Sequence, residues 1–191
     1  MNTLILVNQI ALVANIFCLL VGMLICFAAD KSFSGLRLLL TLGIGLALVL
    51  AFYYGWIPES TNTQQRLQVL IGDLMLFVAN GLFWWAIAQH HHKPSKIFDA
   101  TLPHELVTTG PYSFIRHPLY TAYLLALLAI AFIAKTAPIM AFMSVLGAVY
   151  VFAAFREETG ILQSGHRGVY RDYMQRTGRF LPQWKKFHLR I

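Results

Sequence analysis

No charged side chain occurs between Met1 and Ala29, and long apolar runs of this kind recur along the whole chain. They cover about Thr3 to Ala29, Leu36 to Trp56, Leu67 to Ala88, Pro118 to Ala134 and Ala137 to Phe155. About 20 predominantly apolar residues are enough for a helix to cross the hydrocarbon of a bilayer. In lipid each backbone N–H and C=O must be satisfied inside the segment, which selects helices. The expected fold is therefore all-α, a polytopic membrane protein with about five transmembrane helices. Composition agrees: 58% of residues are hydrophobic and 12% charged, against roughly 25% charged in soluble domains.

The first run follows no Lys or Arg and is too long for a signal peptide, so it reads as a retained transmembrane helix. Its two cysteines, Cys18 and Cys26, are two helical turns apart, about 12 Å. That is too far for a disulfide, and they read as buried apolar thiols. Pro118 and Pro138 stand at helix starts, where proline is tolerated best. With Lys135-Thr136 between them, the last two runs form a tight helical hairpin. The first of these runs reaches only about 25 Å at helical rise, short for a full crossing. The chain is thus one membrane domain, 1–191: three N-terminal spans in 1–88, a loop in 89–117, the hairpin in 118–155 and a polar tail in 156–191. Arg156 to Met174 of the tail has helical character, and Gly178, Pro182 and Trp184 end it.

The net charge is +7. The basic residues flank apolar runs, which suits anionic headgroups and topology signals, not nucleic acid. With five spans, only Arg66 and Lys135 of the 15 Lys and Arg residues fall on one side. The positive-inside rule then puts the 89–117 loop and the C-terminus in the cytoplasm and the N-terminus on the opposite side. The two most polar stretches share one compartment and can meet. Lipid-facing and subunit-facing patches carry the same apolar residues, so the oligomeric state stays open.

Some polar residues have two readings. Asp73 and Asn80 lie on one face of the third span; they serve either an interhelical hydrogen bond or a site or proton path. His90-His91-His92 cannot all grip one ion from a helix, where neighbours point about 100° apart, and they read as interfacial. Gly43-Ile44-Gly45 lies mid-span and fits helix packing. Trp84-Trp85 reads as an interface anchor. Tyr170, Tyr173 and Trp184, interleaved with Arg171, Arg176 and Arg179, fit a tail lying on headgroups or a lid over a pocket.

The densest chemistry is His104-Glu-Leu-Val-Thr-Thr-Gly110-Pro-Tyr112-Ser-Phe-Ile-Arg116-His117-Pro118-Leu-Tyr120. Gly110-Pro111 marks a turn. Arg116 and His117 sit at the mouth of the helix begun by Pro118, where free backbone N–H groups suit a carboxylate or phosphate. Arg156-x-Glu158 and Tyr170-x-x-Tyr173 follow.

These three blocks, in this order, resemble the isoprenylcysteine carboxyl methyltransferase and phospholipid methyltransferase family of integral membrane enzymes, over roughly residues 97 to 184. The resemblance implies an S-adenosylmethionine-dependent methyltransferase without a Rossmann fold, its cofactor held between the loop, the helix ends and the tail. It implies that His104, Leu106, Val107, Tyr112, His117, Pro118, Tyr120 and Glu158 line the cofactor pocket. Arg156 is then nearest the acceptor group, supported by Arg116, and no metal is needed. The chain departs from the family pattern at Thr159, at Gly165-His166-Arg167-Gly168 and at Ile97. The implied acceptor is a lipophilic or lipidated small molecule entering from the membrane lipids. The carboxylate of an isoprenylcysteine-like substrate comes first, and a phospholipid amine second. An NADPH-dependent sterol-type reductase and a non-enzymatic small membrane subunit or transporter are the rival readings.

Overall fold

The computed structural model describes residues 63–89, 106–165 and 167–183, together with 10, 13–15, 17–19 and 21–22 of the first apolar run. Among the described residues the helices with given bounds are α1, Thr63–Ala88; α2, Pro118–Ala134; α3, Ala137–Gln163; and α4, Arg167–Arg176. A 3₁₀ turn, Gly110–Ser113, precedes α2. The described residues between 10 and 22 are helical as well. No strand occurs among the described residues; Ile115 and Gly178 form an isolated parallel bridge. The second apolar run, most of the first, Cys26, and the histidines at 90–92 lie outside the described residues.

α1 and α3 are long and apolar enough to cross a membrane, whereas α2 is a shorter apolar helix. The hairpin between α2 and α3 forms as the sequence demands. Lys135 takes a left-handed conformation (φ 48°) as the C-cap of α2, its N–H bonded to the Ala131 carbonyl. Thr136 is extended, and Pro138 lies in the first turn of α3. At this end Gln68 of α1 donates to the Phe132 and Ile133 carbonyls at 2.5 and 3.2 Å, satisfying groups that the end of α2 leaves free.

Small residues let α1 and α2 approach closely. Gly72 faces Ile133, and any Cβ there would collide with it. Leu76, Ala79 and Phe83 of α1 are fully buried together with Ala122, Ala129 and Ile130 of α2. Asn80 donates to the Asn15 carbonyl and side chain, each at 3.0 Å, and Trp84 Nε1 lies 2.9 Å from Cys18 Sγ. Asn80 therefore makes the interhelical bond that one of its readings required. Trp84 faces the first apolar run, while Trp85 is exposed. Asp73 is buried, and among the described residues neither carboxylate oxygen has a hydrogen-bond partner.

The hairpin does not end at Phe155. α3 continues without a break to Gln163, so Arg156, Glu157 and Glu158 ride on two further helical turns and not in a separate tail. The lone Gly160 is tolerated inside the helix; Gly165 follows the true end, where Ser164 is extended. Beyond it α4 turns its Tyr170 and Tyr173 inward and leaves Arg167, Arg171 and Arg176 exposed.

Candidate active site

The segment ahead of α2 and the segment behind α4 are joined backbone to backbone. Arg116 N–H donates to the Gly178 carbonyl (2.8 Å), Gly178 N–H to the Phe114 carbonyl (3.1 Å), and His117 N–H to the Arg179 carbonyl (3.1 Å). The N–H groups expected to be free at the mouth of α2 are thus used to dock the tail. Tyr173 Oη donates to the Tyr112 carbonyl at 2.6 Å, and Thr121 Oγ1 to the Phe180 carbonyl at 3.2 Å. Gly178 is required by this arrangement, since a Cβ there would run into the Leu181 carbonyl. Gly110 holds φ +57° against the side chain of Gln89, which fixes the loop to the end of α1.

At the centre of this junction lies Glu158, buried to 2% exposure. Arg116 Nε meets its Oε1 at 2.8 Å, and His117 Nε2 is 3.2 Å from the same oxygen. Arg179 places Nε and Nη2 on Oε2, at 2.9 and 2.6 Å. Arg116 Nη1 also donates to the carbonyls of Met174 (3.3 Å) and Thr177. The Arg179 guanidinium lies 3.7 Å over the centroid of the Phe155 ring, a cation–π contact. Glu157 is more open, with its Oε2 4.0 Å from His117 Nδ1.

These charges stand beyond the apolar stretch of α3, on its last two turns. Burial would raise the Glu158 carboxyl, but hydrogen bonds with His117, Arg179 and Arg116 outweigh it and hold the group well below the usual carboxylate range. Nearby, burial pushes the Tyr173 hydroxyl up to about 12 and raises that of Tyr170 as well.

An aromatic series leads away from the ion cluster. The His117 ring lies 5.4 Å from Tyr120 and 6.0 Å from Phe180. Tyr120 lies 6.0 Å from Tyr150, which stacks on Tyr123 at 5.2 Å. Of the residues singled out in the sequence, Arg116, His117, Pro118, Tyr120 and Glu158 converge here. Tyr112 meets the cluster through Tyr173, and Leu106 and Val107 are half-buried in the extended stretch before the 3₁₀ turn. His104 lies outside the described residues.

Arg156 is not brought to this cluster. It is exposed, and lines a shallow hollow with Phe152, Phe155, Thr159, Gly160 and Gln163. Two residues along a helix turn a side chain by about 200°, so Arg156 and Glu158 cannot share a face. The arginine that sequence reasoning missed is Arg179. The sequence groups it with a tail that lies on headgroups or covers a pocket, and no local spacing announces that it folds back onto an acid 21 residues earlier.

Two helices long and apolar enough to cross a membrane thus accompany a charged, aromatic-lined junction of loop, helix end and tail. The chain belongs to the phospholipid methyltransferase family, whose profile matches residues 67–164. Methyltransferases of that family take the methyl group from S-adenosylmethionine. The chain is 34% identical over 83 residues to the nickel-cobalt-cadmium resistance protein NccN of Alcaligenes xylosoxydans xylosoxydans, covering 44% of this chain and 38% of that protein. It is 35% identical over 78 residues to the cobalt-zinc-cadmium resistance protein CzcN of Cupriavidus metallidurans, covering 41% of this chain and 36% of that one. The chain thus spans less than two fifths of the length of these curated relatives. No solved structure matches it.

Proposed function

We propose that this protein transfers a methyl group from S-adenosylmethionine to a lipophilic acceptor, at a cytoplasm-facing site centred on Glu158. The observation that carries the reading is the buried Glu158 clamped by Arg116, Arg179 and His117 where loop and tail meet. The donor set suits the cofactor. A carboxylate matches its ammonium, guanidinium groups match its carboxylate, and the rings of His117, Tyr120 and Phe180 offer faces for the purine. Leu106, Val107, Tyr112 and Pro118 supply wall, and the family resemblance adds His104 to the cofactor residues. When bound, the cofactor supplies a methyl group on a positively charged sulfur.

The residues here mainly align partners and exclude water. Holding two reactants in attack geometry is worth up to about 7–11 kcal/mol of a barrier. We place a carboxylate acceptor of the isoprenylcysteine type first. A carboxylate has no proton to lose, and the acids and histidine of this site are already committed to one another. Arg116 braces Glu158 in this reading and does not grip the acceptor, and Arg156 on the other face of α3 is withdrawn from that role. A phospholipid amine comes second, favoured by the family's description. It requires a base, for which His117 is the candidate.

Incubating protein in native membranes with methyl-labelled cofactor tests the reading. Label released by mild alkali as volatile methanol marks a methyl ester; label that stays non-volatile on the headgroup fragment marks an N-methyl product and reverses the order. Binding of NADPH without binding of S-adenosylhomocysteine would overturn methyl transfer altogether, in favour of a sterol-type reductase.

A further inference from the structure

Glu158 has two arginine partners, and they are not equivalent. Arg116 is 7% exposed at its side chain, and three acceptors hold it: Glu158 Oε1 and the Met174 and Thr177 carbonyls. It is a fixed brace. The Arg179 side chain is 26% exposed, and its hydrogen bonds all go to one atom, Glu158 Oε2. Its remaining contact is the face of Phe155, which holds the guanidinium plane without using an N–H. The Arg179 backbone is fixed independently, because its carbonyl accepts the His117 N–H.

The local charge is also unbalanced. One buried carboxylate faces two guanidiniums, and the next acid along the helix, Glu157, has its Oε2 4.0 Å from His117 Nδ1. An α-amino acid group brings one carboxylate and one ammonium. It can enter by partner exchange: its ammonium takes Glu158 Oε2 and its carboxylate takes the fork that Arg179 gives up. No net charge is added, and each ion keeps a partner, which avoids stranding a buried charge.

Resting on the methyltransferase reading, we infer that Arg179 receives the carboxylate of the cofactor's amino acid end, and that the Arg179–Glu158 pair is the closed form of an amino acid zwitterion subsite. Arg116 stays on Glu158 throughout. Arg179 therefore confers selectivity for the amino acid part of the ligand and none for its nucleoside.

The test is calorimetric titration of detergent-solubilised full-length protein with two ligands. S-adenosylhomocysteine carries the amino acid; 5′-methylthioadenosine keeps the nucleoside thioether and lacks it. Arg179→Gln should weaken S-adenosylhomocysteine by roughly tenfold to a hundredfold, the scale of a lost hydrogen bond to a charged group. It should leave 5′-methylthioadenosine within about twofold, the scatter expected of a site off the ligand's contacts. Arg179→Lys, which keeps the charge but loses the fork, should fall between and serves if the glutamine variant does not fold. Equal weakening of both ligands, or of neither, overturns the inference and leaves the methyltransferase reading intact. Wild-type protein that binds neither ligand overturns both.

Discussion

Replacing Glu158 by glutamine removes one charge and almost no volume, so its cost reports the ion cluster and not a cavity. Removing one partner of a buried ion pair costs about 3–5 kcal/mol, because the other charge is stranded. Glu158 and Arg116 have side chains 3% and 7% exposed, so their pair belongs near the lower end of that range. Arg179 is 26% exposed, and solvent reduces its share to about 1 kcal/mol. For a chain of this size 1 kcal/mol shifts a melting midpoint by about 2–4 °C. A loss of about 3 kcal/mol from Glu158→Gln should therefore lower the midpoint in detergent by roughly 6–12 °C. The division between the arginines is read with two double-mutant cycles, pairing Glu158→Gln with Arg116→Met and then with Arg179→Met. The coupling to Arg116 should be the larger by about 2 kcal/mol. An equal or larger coupling to Arg179 would refute the picture of one fixed and one exchangeable partner.

Three further outcomes follow from the same geometry. Glu158 has a folded-state pKa below its unfolded value, so the stability it contributes is present above the ordinary carboxyl pKa and lost as pH falls through the folded one. The melting midpoint should hold from pH 8 to about 5 and drop only in stronger acid, while Glu158→Gln loses that acid-dependent drop. Gly178→Ala should undock the tail, since the new Cβ meets the Leu181 carbonyl; limited proteolysis should cut after α3 in the variant and spare the wild type. Arg156→Ala should leave S-adenosylhomocysteine affinity within about twofold, as expected for a side chain off the cluster; a tenfold loss would mean that Arg156 contributes to cofactor binding.

The α2–α3 hairpin was readable because its signals are local. Two prolines sit in first turns, and Lys135-Thr136 is a polar pair between apolar runs. The reach of α3 was not readable from hydropathy. The apolar run stops at Phe155, but the end of an apolar run does not end a helix, and α3 continues past the lone Gly160 to Gln163. The family pattern placed Arg156, two residues before Glu158, nearest the acceptor group. Helical geometry turns that neighbour away, while Arg179 arrives through a chain reversal that no spacing encodes. The family pattern singled out His117 and Glu158, but their separation of 41 residues hid the bond between them.

A site built this way exists only when the tail is docked. Arg116 belongs to the loop, Glu158 to α3 and Arg179 to the tail, and the backbone bonds at Gly178 hold the three in register. A ligand that binds the docked form and not the open one stabilises docking by RT ln(1 + [L]/Kd), about 2.7 kcal/mol at a hundredfold excess over Kd. Tail closure and cofactor binding are then one equilibrium seen from two ends. Hydrogen exchange should slow at the Arg116, His117 and Gly178 amides when S-adenosylhomocysteine is added, while amides in the middle of α2 stay as they were. Slowing spread evenly over α2 would mean that the ligand stabilises the whole bundle, and the tail would then be ordinary scaffold.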